Sequence, residues 1–191
     1  MSNFASAKSI TFFDIETTHL DPKCSAILQI SFITDWEDGR QDTWTTKIKP
    51  KDVELKFASK NSLEICNYSE EKWRDAPNFE KVASEIAKRL MWGPIVAHNI
   101  NFDLSHIRAI FRRYGWKEVD RISDEEKCLK IGYPVIDTCA LSYLFLPPER
   151  QSLNVLREYY QIPTEGAHES HKDTEDCRYI FYNIMGEKFN S

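Results

Sequence analysis

The amino-acid sequence predicts an α/β domain in which helices cover a mixed β-sheet. A strand and a hairpin come first along the chain, and the later strands alternate with helices, which is the order expected of a mixed sheet between helical layers. Apolar periodic segments follow one another without a linker to within a few residues of the C-terminus. We therefore expect a single domain over residues 1–191, with its core at about 9–185.

Three strands are predicted in the first third of the chain. Ile10–Glu16 is short, apolar and rich in aromatic and β-branched residues, as expected of a buried strand. Ala26–Trp36 alternates between apolar and polar residues, and Asp42–Ile48 follows it after a turn that contains Gly39. This arrangement is typical of a β-hairpin.

Helical and strand patterns alternate in the rest of the chain. Apolar residues recur every three or four positions in Asn78–Leu90, which indicates an amphipathic helix. Pro94–His98 reads as a short strand, and Asn101–Tyr114 returns to helical spacing before Gly115, a plausible C-terminal cap. The remaining predicted elements are a strand at Pro134–Asp137 and helices at Thr138–Leu146, Ser152–Tyr160 and Thr174–Met185.

The composition predicts a soluble, cytoplasmic protein without a membrane partner. The sequence has no run of about 18 uncharged apolar residues and no apolar stretch typical of a signal peptide at its N-terminus. Five cysteines without a Cys-x-x-Cys pair argue against a disulfide framework or a zinc site. The formal net charge of −5 provides no global field that would attract a polyanion, so a nucleic-acid partner has to be recognised by local features.

A pair of carboxylates lies at the end of the first predicted strand. Asp14 and Glu16 are two residues apart and therefore share one face of the strand. Burial of paired charges is costly unless a metal ion or another partner neutralises them. The pair therefore indicates either a metal site or a strand end that is open to solvent.

A second polar segment joins a strand to a helix. His98 and Asn99 end the strand, and Asp103 lies in the first turn of the next helix. A carboxylate at this position complements the helix dipole, so Asp103 does not require a functional explanation. His98 is interpreted as an orienting or core histidine rather than as a metal ligand.

A third polar segment lies at the start of the last predicted helix. It contains two pairs with the same spacing, since His171 precedes Asp176 and His168 precedes Asp173 by five residues. A histidine just before a helix that carries a carboxylate can act as the general base for an attacking water. The alternative is an exposed, polar helix start.

Together, the three segments resemble the motifs of the DEDDh 3′-to-5′ exonucleases, the DnaQ-like family of the ribonuclease H-like superfold. Asp14–Thr18 matches the first motif, His98–Asp103 the second and His171–Asp176 the third, in the order and spacing of the family. The resemblance extends from about Ser9 to Met185. It implies a ribonuclease H-like α/β fold with a mixed five-stranded sheet, of which the second strand is antiparallel, flanked by helices.

Two alignments of the third motif are possible, and we favour His171 with Asp176. In that alignment Glu175 precedes the aspartate and the small Cys177 follows it, as the resemblance suggests. Apolar residues then continue the helix inward at helical spacing. His168 with Asp173 would move the ligand one turn earlier.

The resemblance implies two Mg²⁺ or Mn²⁺ ions bound by four carboxylates, because these ions prefer oxygen ligands. Asp14 would bridge both ions. Glu16 and Asp176 would hold the ion that activates the attacking water, and Asp103 would bind the second ion through water. His171 would remove the proton from the attacking water.

Residues beside the motifs are candidates to bind the terminal nucleotide. Leu20 and Phe102 would hold the base between them, or pack in the core instead. His19 stands where the family usually has glycine, so its side chain would narrow or contact the approach of the nucleotide. The substrate-binding candidates are Thr17, Thr18, Leu20, His98, Asn99 and Phe102.

The predicted function is a metal-dependent 3′-to-5′ exonuclease that releases nucleoside 5′-monophosphates. The expected substrates are single-stranded or frayed 3′ ends, with DNA favoured over RNA, and a protein partner in a replication, repair or processing assembly is possible. Two alternatives remain open. One is a catalytically silent nucleic-acid binding or assembly module on the same fold, and the other is a two-metal hydrolase of small nucleotides.

Overall fold

A five-stranded mixed sheet forms the centre of the protein. The computed structural model describes residues 7–121, 127–147 and 151–189, with side chains to residue 186. The strands of this sheet are β1 (Ser9–Thr17), β2 (Ile27–Trp36), β3 (Gln41–Lys47), β4 (Ile95–Ala97) and β7 (Val135–Asp137). Two further strands, β5 (Lys117–Glu118) and β6 (Cys128–Leu129), pair with each other in parallel.

The strand order of the main sheet is β3-β2-β1-β4-β7. The pair β1/β2 and the pair β2/β3 are antiparallel, whereas β4 lies parallel to β1 and to β7. This topology confirms the predicted mixed sheet with an antiparallel second strand. Gly39, with a φ of 86°, occupies the turn between β2 and β3, where a positive φ favours glycine.

Helices cover both faces of the sheet. They are α1 (Asp52–Leu55), α2 (Lys60–Ile65), α3 (Phe79–Arg89), α4 (Ile100–Arg113), α5 (Thr138–Phe145), α6 (Leu153–Tyr159) and α7 (Ser170–Phe189). The helices α3 and α4 bury their apolar sides against Phe13 and Ile15 of β1. On the opposite face, α7 packs Cys177 and Phe181 against Ile10 and Phe12. The alternation along β1 therefore separates two apolar layers.

Most predicted elements are confirmed to within a few residues, but two differences affect the site. Both α1 and α2 were absent from the sequence-based prediction, and α2 ends beside the predicted site. The helix α7 begins at Ser170 rather than at Thr174. As a result, His171 lies inside the helix and not in a loop before it.

No helix among the described residues combines the length and the apolar character needed to cross a bilayer.

Candidate active site

The strand β1 carries Asp14 and Glu16 to one end of the sheet, on the face that α7 covers. Both residues point to the same side of the strand as Phe12, which packs against α7, as their spacing predicts. The pairing with β2 shifts its register between Glu16 and Thr17, which is an irregularity that often occurs beside functional sites. Oδ2 of Asp14 is buried and receives no hydrogen bond from the described residues. A buried carboxylate oxygen without a partner calls for a ligand.

Asp103 reaches the same end of the sheet from the first turn of α4. The helix is preceded by Asn99, whose φ of 60° turns the chain out of β4. Asp103 is 2% exposed. Burial raises its pKa well above the ordinary value, and hydrogen bonds from the backbone amides of Asp103 and Ile15 oppose that rise. The dipole of α4 also favours a negative charge here.

The helix α7 contributes Asp173 to this cluster. Carboxylate oxygens of Glu16 and Asp173 and a ring nitrogen of His168 lie within 4.8 Å of one another. Asp173 is also close enough to Asp14 to raise the pKa of that carboxyl by repulsion. The four carboxylates that converge are therefore Asp14, Glu16, Asp103 and Asp173.

The site is electrostatically strained in the absence of cations. Burial raises the pKa of Asp14 well above its ordinary value, and repulsion from Asp103, Asp173 and Glu16 adds to the rise. Burial raises the pKa of Glu16 to about 7, although a thiol hydrogen bond opposes this change. Burial also raises the pKa of Asp173. A bound cation would relieve all of these effects, since it favours the ionised carboxylates.

Asp176 occupies a different environment from the one expected for a metal ligand. Its Oδ2 accepts a hydrogen bond from Nε of Arg157 at 2.7 Å, and its Oδ1 is bound by Lys172. Both oxygens are thus engaged by cationic side chains. The structure brings Asp173, and not Asp176, next to Glu16 and Asp14, which departs from the alignment that we favoured from the sequence.

His171 contacts Ser31, the cross-strand neighbour of Asp14, and is not the histidine that meets Glu16 and Asp173. Its Nδ1 is 3.5 Å from Oγ of Ser31, and its Nε2 is 3.4 Å from Glu175, one turn further along α7. His168, in contrast, is exposed and lies beside Glu16 and Asp173. Its φ of 67° belongs to the turn that leads into α7. The geometry therefore favours the alternative pair, His168 with Asp173.

A cleft of about 720 Å³ opens over the cluster. Asp14 and Asp173 line it together with His98 and Asn99, which come from the end of β4. Nδ1 of His98 lies 3.0 Å from Oγ1 of Thr138, and burial lowers the pKa of this histidine. His98 is thus placed as a neutral, oriented side chain at the cleft wall.

The segment after β1 places Leu20 at the surface. Leu20 is 74% exposed, which leaves it free to contact a ligand. Nδ1 of His19 accepts a hydrogen bond from the backbone amide of Asp21 at 2.8 Å, so the imidazole folds against its own loop. Nε2 of His106 lies 3.0 Å from the backbone oxygen of His19, and the His106 ring packs on Phe102 at a centroid distance of 4.3 Å. His106 therefore links Phe102 to the loop that carries Leu20.

The side chains of Thr17 and Thr18 support this loop. Oγ1 of Thr17 donates to the backbone oxygen of His19 at 3.2 Å, and Oγ1 of Thr18 accepts from the amide of Ala26 at 2.8 Å. Both threonine side chains are buried. Their hydroxyls thus stabilise the loop through hydrogen bonds within the protein.

Two residues at the site were missed by sequence analysis. Arg157 of α6 is 1% exposed and binds both Asp173 and Asp176. Cys66, at the end of α2, donates its thiol hydrogen to Oε2 of Glu16 at 3.2 Å. Neither residue belongs to one of the recognised motifs, and their partners lie 16 to 50 positions away in the sequence. No local pattern could have revealed these contacts.

Comparison with known proteins identifies related chains. Residues 11–181 match the RNase T family, described as exonuclease. The chain is 26% identical over 174 residues to a PolC-type DNA polymerase III of Caldanaerobacter subterraneus subsp. tengcongensis, and 28% identical over 179 residues to the 3′-5′ exonuclease DinG of Staphylococcus epidermidis. These alignments cover 91% and 92% of this chain but 11% and 18% of the relatives. The chain thus spans less than a fifth of their length.

A solved structure supports the same relationship at the level of the fold. Escherichia coli exonuclease I in complex with a dA16 oligonucleotide superposes with a TM-score of 0.68 at 18% identity, over 94% of this chain and 41% of that one. The match to the RNase T family covers most of the sequence. The chain therefore belongs to the RNase T exonuclease family, the DnaQ-like DEDD group, and has a ribonuclease H-like fold.

Proposed function

We propose that this protein is a metal-dependent 3′-to-5′ exonuclease that releases nucleoside 5′-monophosphates from single-stranded or frayed DNA ends. The observation that carries the proposal is the convergence of Asp14, Glu16, Asp103 and Asp173 beside one cleft, which Asp14 and Asp173 line. Oδ2 of Asp14 has no hydrogen-bond partner among the described residues. The family membership gives this cluster its expected chemistry.

The donor set fits hard divalent cations. All four residues offer carboxylate oxygens, which Mg²⁺ and Mn²⁺ prefer, and their repulsion in the buried cluster is a cost that cations would remove. We propose that Asp14, Glu16, Asp103 and Asp173 hold two such ions. When bound, the ions would stabilise charge on the phosphoryl oxygens and favour deprotonation of a nearby water.

His168 is the proposed general base. Its imidazole is exposed at the mouth of the site and a ring nitrogen lies within 4.8 Å of the carboxylates of Glu16 and Asp173. A neutral imidazole there can accept a proton from the attacking water at a ring nitrogen. This role replaces the one that the sequence analysis assigned to His171.

The side chains around the cleft suggest how the terminal nucleotide is held. Leu20 and Phe102 would contact the base from two sides, and His106 joins Phe102 to the backbone of His19, next to Leu20. His98 and Asn99 line the wall on which the sugar and phosphate would lie. His19 faces its own loop, so it would not obstruct the approach of the nucleotide.

DNA is proposed as the substrate because the relatives are a DNA polymerase and a 3′-5′ exonuclease, and the similar solved structure contains a deoxyadenosine oligonucleotide. The relatives are much longer chains. Participation in a replication, repair or processing assembly, and location in the cytoplasm, remain predictions.

A degradation assay with two labels tests this function. Oligonucleotides labelled at the 3′ or the 5′ end, their 3′-phosphorylated forms, a circular strand and a free nucleotide are incubated with Mg²⁺, Mn²⁺ or EDTA. We expect the 3′ label to be released at once as a nucleoside 5′-monophosphate, and the 5′-labelled strand to give a ladder of shortened products. We expect no degradation in EDTA, none of the 3′-phosphorylated strands, and none by the Asp14→Asn variant. Binding without cleavage would support the silent module instead, and turnover of the free nucleotide alone would support the small-substrate hydrolase.

A further inference from the structure

The buried guanidinium of Arg157 connects two carboxylates of α7. Its Nη2 donates to Oδ1 of Asp173 at 2.5 Å, its Nε donates to Oδ2 of Asp176 at 2.7 Å, and its Nη1 donates to Oδ1 of Asn154 at 2.6 Å. The side chain is 1% exposed. A planar guanidinium with three nitrogen atoms engaged has a fixed orientation, and it fixes the orientation of its partners.

The hydrogen bonds to Asp173 are concentrated on one of its oxygens. Oδ1 accepts from Arg157 and also from the backbone amide of His168, at 3.1 Å. An oxygen with two donors has little capacity left for a cation. The arrangement leaves Oδ2 as the oxygen of Asp173 that can bind a metal ion.

We propose that Arg157 is a positioning residue that restricts Asp173 to binding a divalent cation through a single oxygen, an inference that rests on the proposed function. Because the guanidinium holds Oδ1, the carboxylate cannot rotate to bind the cation with both oxygens. Oδ1 of Asp173 also accepts a hydrogen bond from the backbone amide of His168. By fixing Asp173, Arg157 therefore also fixes the turn that carries the proposed base.

The second carboxylate, Asp176, balances the charge of this arrangement. Arg157 carries one positive charge between two carboxylates, and Lys172 supplies a further cation to Asp176. Removal of Arg157 alone would leave uncompensated buried charge, which destabilises proteins strongly. The double substitution Arg157→Met with Asp176→Asn removes one charge of each sign, so it tests positioning without changing the net charge of the site.

The proposal makes a prediction that a purely structural role does not make. Without the guanidinium, Asp173 can bind a cation through both oxygens, so cation affinity is retained or increased while the cation is misplaced for chemistry. We expect the double variant to bind Mn²⁺ at least as tightly as the wild type, and kcat at saturating Mn²⁺ to fall about 10- to 100-fold. Arg157→Met alone should bind Mn²⁺ about three- to tenfold more tightly where it folds, because the site gains one unit of negative charge. Arg157→Lys keeps the positive charge but loses the planar guanidinium that donates to both carboxylates at once. Its kcat should therefore lie between those of the wild type and the double variant.

Arg89 offers a matched control. It is another buried arginine that binds two carboxylates, Asp42 and Glu85, but on α3, outside the proposed site. Arg89→Met should lower the melting temperature while kcat and Mn²⁺ affinity stay within about twofold of the wild type.

The experiment combines Mn²⁺ titration calorimetry with steady-state degradation of an oligonucleotide, and circular dichroism establishes that each variant is folded. A double variant that is folded and has an unchanged kcat overturns the positioning role of Arg157. So does a parallel loss of Mn²⁺ affinity and kcat in that variant. If the wild type itself binds no Mn²⁺, or binds it no better than Asp14→Asn, the proposed function fails, and the role of Arg157 fails with it.

Discussion

The thiol of Cys66 donates a hydrogen bond to Oε2 of Glu16 across 3.2 Å, which links the end of α2 to the end of β1. Burial raises the pKa of this thiol, and the neighbouring Glu16 charge raises it further, so the sulfur keeps its hydrogen and remains a donor. The bond in turn lowers the pKa of Glu16, against the larger effect of burial. Cys66 is therefore expected to help keep Glu16 ionised.

Replacement of Cys66 should change the pH dependence of activity. In Cys66→Ala the hydrogen bond is lost, so the pKa of Glu16 rises and protons compete with the cation up to a higher pH. At limiting Mg²⁺, we expect the acidic limb of the profile of kcat/KM against pH to shift to higher pH by about half a unit or more. Cys66→Ser, which keeps a donor, should restore most of the profile. Superimposable profiles for wild type and Cys66→Ala would contradict the role of this bond.

The stability of the metal-free protein should fall as the pH rises. The carboxyl groups of the cluster have a higher pKa in the folded chain than in the unfolded chain, so they stabilise the fold at low pH and this contribution is lost as the pH passes the folded pKa. For Glu16 this window extends from 4.5 to about 7 and corresponds to about 3 kcal/mol. The free energy of unfolding in EDTA should therefore be lower at pH 8 than at pH 5.5, as urea denaturation would measure.

Divalent cations should reverse this loss. Because they replace protons on the same carboxylates, Mn²⁺ should raise the melting temperature by more at pH 8 than at pH 5.5. Asp14→Asn removes one of the charged groups and is expected to show a weaker pH dependence in EDTA and a smaller shift with Mn²⁺. An equal shift at both pH values would contradict competition between protons and cations at this cluster.

The two alignments of the third motif can be ranked by mutation. We expect His168→Ala to lower kcat by about 10² to 10⁴ at saturating metal while the protein still binds Mn²⁺, because it removes the proposed base. His171→Ala should lower kcat by less than tenfold, since this side chain contacts Ser31 and Glu175 instead. The opposite order of the two variants would return the catalytic role to His171.

The strands and the two earlier motifs could be predicted because each depends on short-range order, whereas the five-stranded arrangement of the sheet followed from the family resemblance. Asp14 and Glu16 share a face through the strand period, and Asp103 follows its strand by a few residues. The third motif differs in kind. Asp173 and Asp176 are three positions apart, so they lie on the same side of the helix, one turn from each other. Local periodicity is therefore compatible with either residue as the metal ligand.

Asp173 and Asp176 differ in their tertiary contacts, which favour Asp173 as the proposed ligand. Arg157 binds both carboxylates, but Asp176 is also bound by Lys172, whereas Asp173 lies beside Glu16. The start of α7 at Ser170 moved His171 into the helix. The contacts of Asp173 with Arg157 and Glu16 join residues far apart in sequence, so local periodicity does not reveal them.

The exposed side chain of Leu20 provides the last prediction. Its loop is held by the contact between Nε2 of His106 and the backbone oxygen of His19, at 3.0 Å, while the side chain itself is 74% exposed. An apolar contact with the terminal base is expected to contribute about 1 kcal/mol, which is roughly fivefold in binding. Leu20→Ala should therefore raise KM for a single-stranded oligonucleotide about three- to tenfold and change kcat by less than about threefold.

Val53→Ala, which shortens an exposed apolar residue of α1, is the control and should leave both constants unchanged. Because Leu20 is not needed to complete the carboxylate cluster, a loss confined to kcat would mean that this loop acts on the chemistry rather than on nucleotide binding.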